Sequence, residues 1–199
     1  MSDYRRAKRA LDVVLSAVGL VTVAPVMVVI ALSVKLGSHG PVLFRQERVG
    51  LRGSPFRILK FRSMVAGASG PSVRESTDAR VTGVGRVLRR YKLDELPQLW
   101  NVLVGDMSLV GPRPEVARYV RLFPEAYARI LAVRPGLTDF AALEYRDEEA
   151  TLSAAPDAEV AYAQVVLPAK IALYHRYLDE MSLGTDLALV LKTLAACLR

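Results

Sequence analysis

At 199 residues the chain has the size of one domain with at most an appendage. Its 27 Lys and Arg against 20 Asp and Glu leave a net charge of +7, yet 52% of its residues are hydrophobic, a combination that leans toward a membrane surface and anionic partners. The single Cys197 excludes an internal disulfide, the isolated His39 and His175 are too few for a zinc site, and an aromatic content of 7% with no recognisable module argues against a nucleic-acid binder.

Arg5, Arg6, Lys8 and Arg9 precede an uncharged run from Val13 to Val34, long enough for a membrane helix. No small-residue cleavage site follows it before the next basic segment, which argues against a signal peptide. Lys35, Arg45, Arg48, Arg52, Arg57, Lys60 and Arg62 lie beyond it. A straight crossing would push one of the two basic sets across the membrane, against the positive-inside tendency. Pro25 stands mid-run, where it deletes a hydrogen bond and clashes with the carbonyl of Val21. The Thr22 hydroxyl can soften that loss. Each half is about 12 residues, or roughly 18 Å, which reaches one leaflet. Two readings stand: a re-entrant helix–break–helix that enters and leaves by one face, and a tilted single-pass helix with a tolerated proline.

Val42 to Arg48 and Phe56 to Arg62 read as the strands of a hairpin around Gly50-Leu51-Arg52-Gly53. Phe56, Ile58, Lys60 and Arg62 share one face of the second strand, with Lys60 and Arg62 facing either an anionic substrate or solvent. Val65 to Ser76 reads as a Gly/Ala/Ser-rich loop. Thr77 to Gly85 is a turn into a helix around Arg86, with Asp78 and Arg80 as a local pair.

Lys92 to Glu115, KLDELPQLWNVLVGDMSLVGPRPE, organises the rest. Leu96, Leu99, Trp100 and Leu103 recur at the spacing of a buried helix face, and Pro97 fits only a first turn. Asp94 and Glu95 are therefore expected at a helix N-terminus, where the dipole favours carboxylates and backbone N–H groups can hold phosphate. Simple capping is the plain alternative for such a pair. Arg86, Arg89, Arg90, Lys92 and Arg113 surround it, and Arg113 is aimed by prolines on both sides. Paired carboxylates with aimed arginine suggest phosphoryl chemistry with a divalent metal.

Beyond the motif, Glu115 to Val133 predicts an amphipathic helix broken near Pro124, and Arg134 to Thr138 a loop. Asp139 to Glu149, which includes Arg146, reads as a substrate-facing or solvated segment, and Thr151 to Asp157 as a linker. Glu159 to Glu180 predicts a helix in two pieces around Pro168. Ser182 to Arg199 predicts a terminal helix with Leu187, Leu191, Leu194 and Leu198 along one side, suited to the bilayer interface or to packing on a core. Together these elements predict an α+β, mostly helical chain: residues 1–36 form a basic start and membrane helix broken at Pro25, and residues 37–199 a catalytic domain with a small hairpin and interfacial helices.

GPVLFRQERVG at Gly40 to Gly50, FRILKFRSM at Phe56 to Met64, TDARVTGVGRVLRR at Thr77 to Arg90, LDELPQLWNVLVGDMSLVGPRPE at Leu93 to Glu115 and RPGLT at Arg134 to Thr138 resemble the bacterial sugar transferases, the monotopic phosphoglycosyl transferases, in their small catalytic-unit form. The resemblance implies transfer of sugar-1-phosphate from a UDP-sugar to undecaprenyl phosphate. UMP leaves, by a ping-pong route that needs Mg²⁺. It implies a place at the cytoplasmic face of a bacterial inner membrane, among membrane lipids, at the first membrane step of glycan assembly. A homo-oligomer is compatible with it, and nucleic acid is not an expected partner. Matched residue by residue, Asp94 is the nucleophile and Glu95 its partner in binding metal or activating the lipid phosphate. Arg89 and Arg113 match phosphate-binding arginines, and Lys60, Arg62, Gln98 and Arg146 fall in motifs near the site. Many relatives carry Gly, Gln and Asn where this chain has Asp139, Ala142 and Glu144, in a region suited to sugar recognition. The alternative from a different class is a non-catalytic membrane-surface scaffold.

Overall fold

The computed structural model describes residues 2–67, 80–148, 152 and 155–197. Helix α1 (Ser2–Gly37) runs for 36 residues with Pro25 inside it, a length of about 54 Å. It is one helix where the sequence predicted two halves, because a proline removes one rung while the ladder continues on both sides. Its most apolar stretch is long enough to cross a membrane, and only 11% of it is buried within the protein. Val14, Val18, Val21, Val28, Val29 and Leu32 point outward. So many β-branched residues are poor helix formers in water; lipid, which forces every backbone group to pair internally, suits them as a helix. This helix marks the chain as membrane-associated.

Both ends of α1 are fastened to the rest of the chain. Near the start, Arg9 donates to Val102 O at 2.7 Å and Leu103 O at 2.8 Å. The buried Asp12 carboxylate accepts from Leu109 N at 3.0 Å. Near the end, Ile30 and Val34 join Phe61 and Leu88 in one buried cluster. There Arg62 Nη2 donates to Val34 O at 3.0 Å and Ser38 O at 2.7 Å, satisfying carbonyls that the helix end leaves orphaned.

Strands β1 (Leu43–Val49) and β2 (Pro55–Phe61) pair antiparallel, Leu43 opposite Phe61 and Val49 opposite Pro55. This is the hairpin read from the sequence. Pro55 takes the first strand position, where its missing N–H breaks no ladder. Helix α2 (Gly83–Arg90) begins at Thr82, whose hydroxyl accepts from Gly85 N. Asp78 and most of the Val65–Ser76 loop lie outside the described residues. Helix α3 (Gln98–Val104) ends at Gly105, with φ of 99°, the left-handed stop that glycine permits.

The buried positions of α3 are Gln98, Asn101 and Val102, while Trp100 is 52% exposed. The leucine periodicity therefore found only part of the inward face: Leu96, Leu99 and Leu103 are half-buried, Trp100 is not, and the fully buried positions lie beside them. The helix lies between α1 and β2: Leu99 packs against Gly19 of α1, and Asn101 bonds Leu59 N at 3.0 Å and Arg57 O at 2.9 Å on β2.

Two short strands were not foreseen. Strand β3 (Ser108–Val110) pairs in parallel with β4 (Gly136–Thr138), Ser108 opposite Gly136 and Val110 opposite Thr138. The RPGLT stretch, read as a loop, supplies β4. Gly136 permits the pairing, since a Cβ there would sit 2.1 Å from Gly111 N. Helices α4 (Ala117–Val120) and α5 (Pro124–Ile130) are split before Pro124 as expected. Helix α6 (Phe140–Glu144) follows β4 directly.

Helix α7 (Ala158–Ala161) continues through a π-helical stretch, Tyr162–Val166, into α8 (Leu167–Glu180). The predicted break at Pro168 is thus a widened turn, which absorbs the missing proline N–H without ending the helix. Tyr119, Tyr127, Ile130, Tyr162, Leu167 and Tyr174 form the largest buried cluster. On the last helix, α9 (Leu183–Cys197), Leu189 and Asp186 point inward, and Leu187, Leu191 and Leu194 are 56%, 58% and 58% exposed.

Candidate active site

Asp94 and Glu95 do not open α3. They sit on their own 3-10 turn, Leu93–Glu95, entered from α2 through Lys92 at φ 55°. A left-handed lysine costs about 1–2 kcal/mol, a local strain placed beside the dyad. The turn is stabilised by Glu95 N donating to Lys92 O at 3.2 Å. Helix amides therefore do not create the dyad's electrostatics. Side chains from β2 and from the loop after β3 do.

Glu95 is the hub. Its Oε1 accepts from Lys60 Nζ at 2.8 Å and, at close range, from Arg113 Nη2. Burial alone would push this carboxyl up, but the Arg113 and Lys60 charges hold it well below the usual range. Burial lowers the Lys60 ammonium, against the pull of Glu95. Glu95 raises the Arg113 guanidinium further, so it stays charged throughout.

Asp94 behaves differently. It is 4% exposed, and its Oδ1 has no hydrogen-bond partner. Burial raises its pKa, opposed by Lys60. Four residues on, the fully buried Gln98 leaves both its amide oxygen and nitrogen unpartnered. Such groups cost about 1–3 kcal/mol each when left unpaired, so in a native site they are met by water, an ion or substrate. The two adjacent acids thus have separate environments: one locked in an ion network, the other desolvated with an acceptor to spare. That division is how neighbouring carboxylates acquire different chemical roles.

Of the other residues read from the sequence, Arg89 lies half-buried in the last turn of α2, which leads into the dyad turn. Arg62 is placed elsewhere: it is 5% exposed and spends Nη2 on the end of α1. Arg146 lies half-buried in the turn after α6 and makes no hydrogen bond to the dyad. Sequence reasoning missed how the Pro112-Arg113-Pro114 loop is held. Pro114 O accepts from Arg48 at 3.1 Å. The buried Glu115 accepts from Arg48 at 3.3 Å and, at close range, from the Tyr162 hydroxyl. Asp139 also bonds this loop. It was visible only as a departure from relatives, since nothing local shows that residues 113 and 139 meet.

Among the described residues no three His, Cys, Asp or Glu side chains gather to hold a metal. Asp94 and Glu95 offer hard carboxylate oxygens, with the unpartnered Asp94 Oδ1 among them. That donor set suits Mg²⁺, which commonly takes one or two carboxylates and completes its shell with water and substrate phosphate.

A buried acidic pair ringed by cations, set beside a membrane helix, agrees with what the whole chain matches. Residues 3–199 fit the family model for bacterial sugar transferases, and the chain belongs to that family. It is 44% identical to the UDP-glucose:undecaprenyl-phosphate glucose-1-phosphate transferase of Caulobacter vibrioides, over 96% of this chain and 69% of that protein. It is 47% identical to the Escherichia coli protein of the same description, over 74% of this chain and 33% of that one. The UDP-N-acetylgalactosamine-undecaprenyl-phosphate N-acetylgalactosaminephosphotransferase of Aeromonas hydrophila is 36% identical over 98% of this chain and 44% of its own length. The chain thus spans less than half the length of two of these three relatives.

Proposed function

We propose that the chain transfers sugar-1-phosphate from a UDP-sugar to undecaprenyl phosphate through a phosphosugar intermediate on Asp94. The observation that carries this reading is the contrast within the dyad: Asp94 is desolvated with Oδ1 unpartnered, while Glu95 is tied to Lys60 and Arg113. In the first step an Asp94 oxygen attacks the β-phosphorus of the UDP-sugar. The bond to the bridging oxygen breaks, and its electron pair leaves with UMP. In the second step an oxygen of undecaprenyl phosphate attacks the same phosphorus and the Asp94 carboxylate departs. Splitting one displacement in two suits a carboxylate, a weak nucleophile that leaves readily from phosphorus.

Lys60 and Arg113 stabilise charge on the phosphoryl oxygens as it develops. Because Glu95 holds them before substrate arrives, little reorganisation is needed at the moment of reaction. Asp94 and Glu95 would hold Mg²⁺, which when bound offsets the repulsion between carboxylate and diphosphate. Gln98 offers a buried amide to a phosphate oxygen.

The membrane helix completes the reading. Both ends of α1 are fastened to one domain, by Arg9 and Asp12 at one end and by Val34 and Arg62 at the other. That supports both ends of α1 lying on the cytoplasmic side, as the re-entrant reading requires, with the dyad at headgroup height and Pro25 as the point where the helix would bend to return. Intact-mass spectrometry tests the chemistry. Enzyme given UDP-sugar and magnesium but no lipid gains one phosphosugar, which maps to Asp94 and is absent from Asp94→Ala. An adduct on another residue, or UMP release persisting in Asp94→Ala, removes the assignment.

A further inference from the structure

The Pro112-Arg113-Pro114 tripeptide has one main-chain N–H, because proline has none. That N–H belongs to Arg113 and donates to Asp139 Oδ2 at 3.0 Å. The other oxygen, Oδ1, accepts from Ala142 N at 2.6 Å and caps α6. The carboxylate is 1% exposed, so both oxygens are spent on main-chain donors and neither faces water.

The far end of the same arginine is held close by. Nη1 donates to Leu137 O at 3.4 Å and Nη2 reaches Glu95. Leu137 and Asp139 flank Thr138, which is set against the start of the loop by Gly111 N donating to Thr138 O at 3.0 Å. Backbone and guanidinium are therefore both tied to the end of β4. A long side chain presents its head reproducibly only if its own Cα is fixed, and small misplacements of a phosphate clamp are costly in rate.

We propose that Asp139 is a positioning residue for the transfer reaction, holding the Arg113 main chain so that its guanidinium meets Glu95 and the phosphate in register. The charged and titratable groups facing Asp139 are Arg113 from the loop and Lys170 and Tyr174 from α8. Lys170 is engaged with Glu148. The proposal takes the identity of the reaction from the transferase reading above.

Asp139→Ser tests it, because a serine hydroxyl still caps α6 and is too short to serve Arg113 N as well. Asp139→Asn is the second variant; it keeps one acceptor oxygen and turns an amide NH₂ toward the other donor. Full-length protein in lipid nanodiscs is compared with wild type by amide hydrogen exchange at Arg113, the single exchangeable amide of its tripeptide, and by UMP release. Both variants are expected to exchange the Arg113 amide at least about tenfold faster, with kcat down about tenfold and KM for the UDP-sugar changed by less than about threefold, measured well below each variant's melting transition. Unchanged exchange at Arg113, or unchanged kcat in variants that exchange faster, overturns the proposal. If wild type releases no UMP from any UDP-sugar, the transferase reading falls, and the exchange experiment still decides whether Asp139 clamps Arg113.

Discussion

Replacing Glu95 with Gln tests the ion network that the site is built on. Glu95 Oε1 receives both Lys60 and Arg113, whose side chains are 14% and 26% exposed against 14% for Glu95. Glutamine preserves the shape and one acceptor oxygen but removes the charge, leaving two partly buried cations facing each other. Breaking a buried pair by removing one partner costs about 3–5 kcal/mol. Asp94 lies near enough to Lys60 and Arg113 to recover part of this, so the lower end, about 3 kcal/mol, is expected. For a chain of this size that corresponds to a fall in melting temperature of roughly 6–12 °C. The assay is thermal unfolding in nanodiscs at neutral pH and fixed scan rate, with Lys60→Met/Glu95→Gln alongside. The double variant removes one excess cation and should regain at least part of the loss.

The pH dependence has a definite sign. The Glu95 carboxyl is held well below its ordinary 4.5, so its contribution is present above that value and is lost as pH falls through the lower folded value. The gap between wild type and Glu95→Gln should close in that acid range. A Glu95→Gln protein melting within about 2 °C of wild type at neutral pH refutes the reasoning.

Burial raises Asp139 from the ordinary 3.8 to about 6. Its ionised form therefore costs the fold about 3 kcal/mol above pH 6, a cost relieved as pH falls from about 6 toward 3.8. Asp139→Asn should flatten the pH dependence of melting in that window, and an unchanged slope contradicts the assignment. Gly136→Ala puts a Cβ 2.1 Å from Gly111 N and 2.2 Å from Gly111 O; it should cost about 3 kcal/mol or more, and a normal melting curve would count against the β3–β4 pairing. Tags before Ser2 and after Gly37 should both be reached from the cytoplasmic side of intact cells, and a periplasmic N-terminus overturns the re-entrant reading of α1. Removing divalent cations with a chelator should abolish UMP release and added Mg²⁺ restore it; turnover undiminished by chelation removes the metal from the scheme.

What the linear chain determined is whatever depends on neighbours in sequence. An uncharged run from Val13 to Val34 has few stable states except a helix in lipid. Alternating residues around Gly50 to Gly53 make a hairpin, and prolines 112 and 114 leave Arg113 little backbone freedom. The dyad motif, with its resemblance to sugar transferases, carried the family by itself. What only the tertiary structure decided is which distant groups meet. Leucine spacing found only part of the inward face of α3, because two layers cover that helix and its polar Gln98 and Asn101 face inward as well. The three-residue strands β3 and β4 are too short to announce themselves, yet their pairing brings Asp139 under Arg113. Above all, Asp94 and Glu95 are alike in sequence and are distinguished only by folding: Lys60 arrives from a strand and Arg113 from a loop, both at one acid. Charge interactions act through space and desolvation acts through packing, and neither is written in the spacing of residues along the chain.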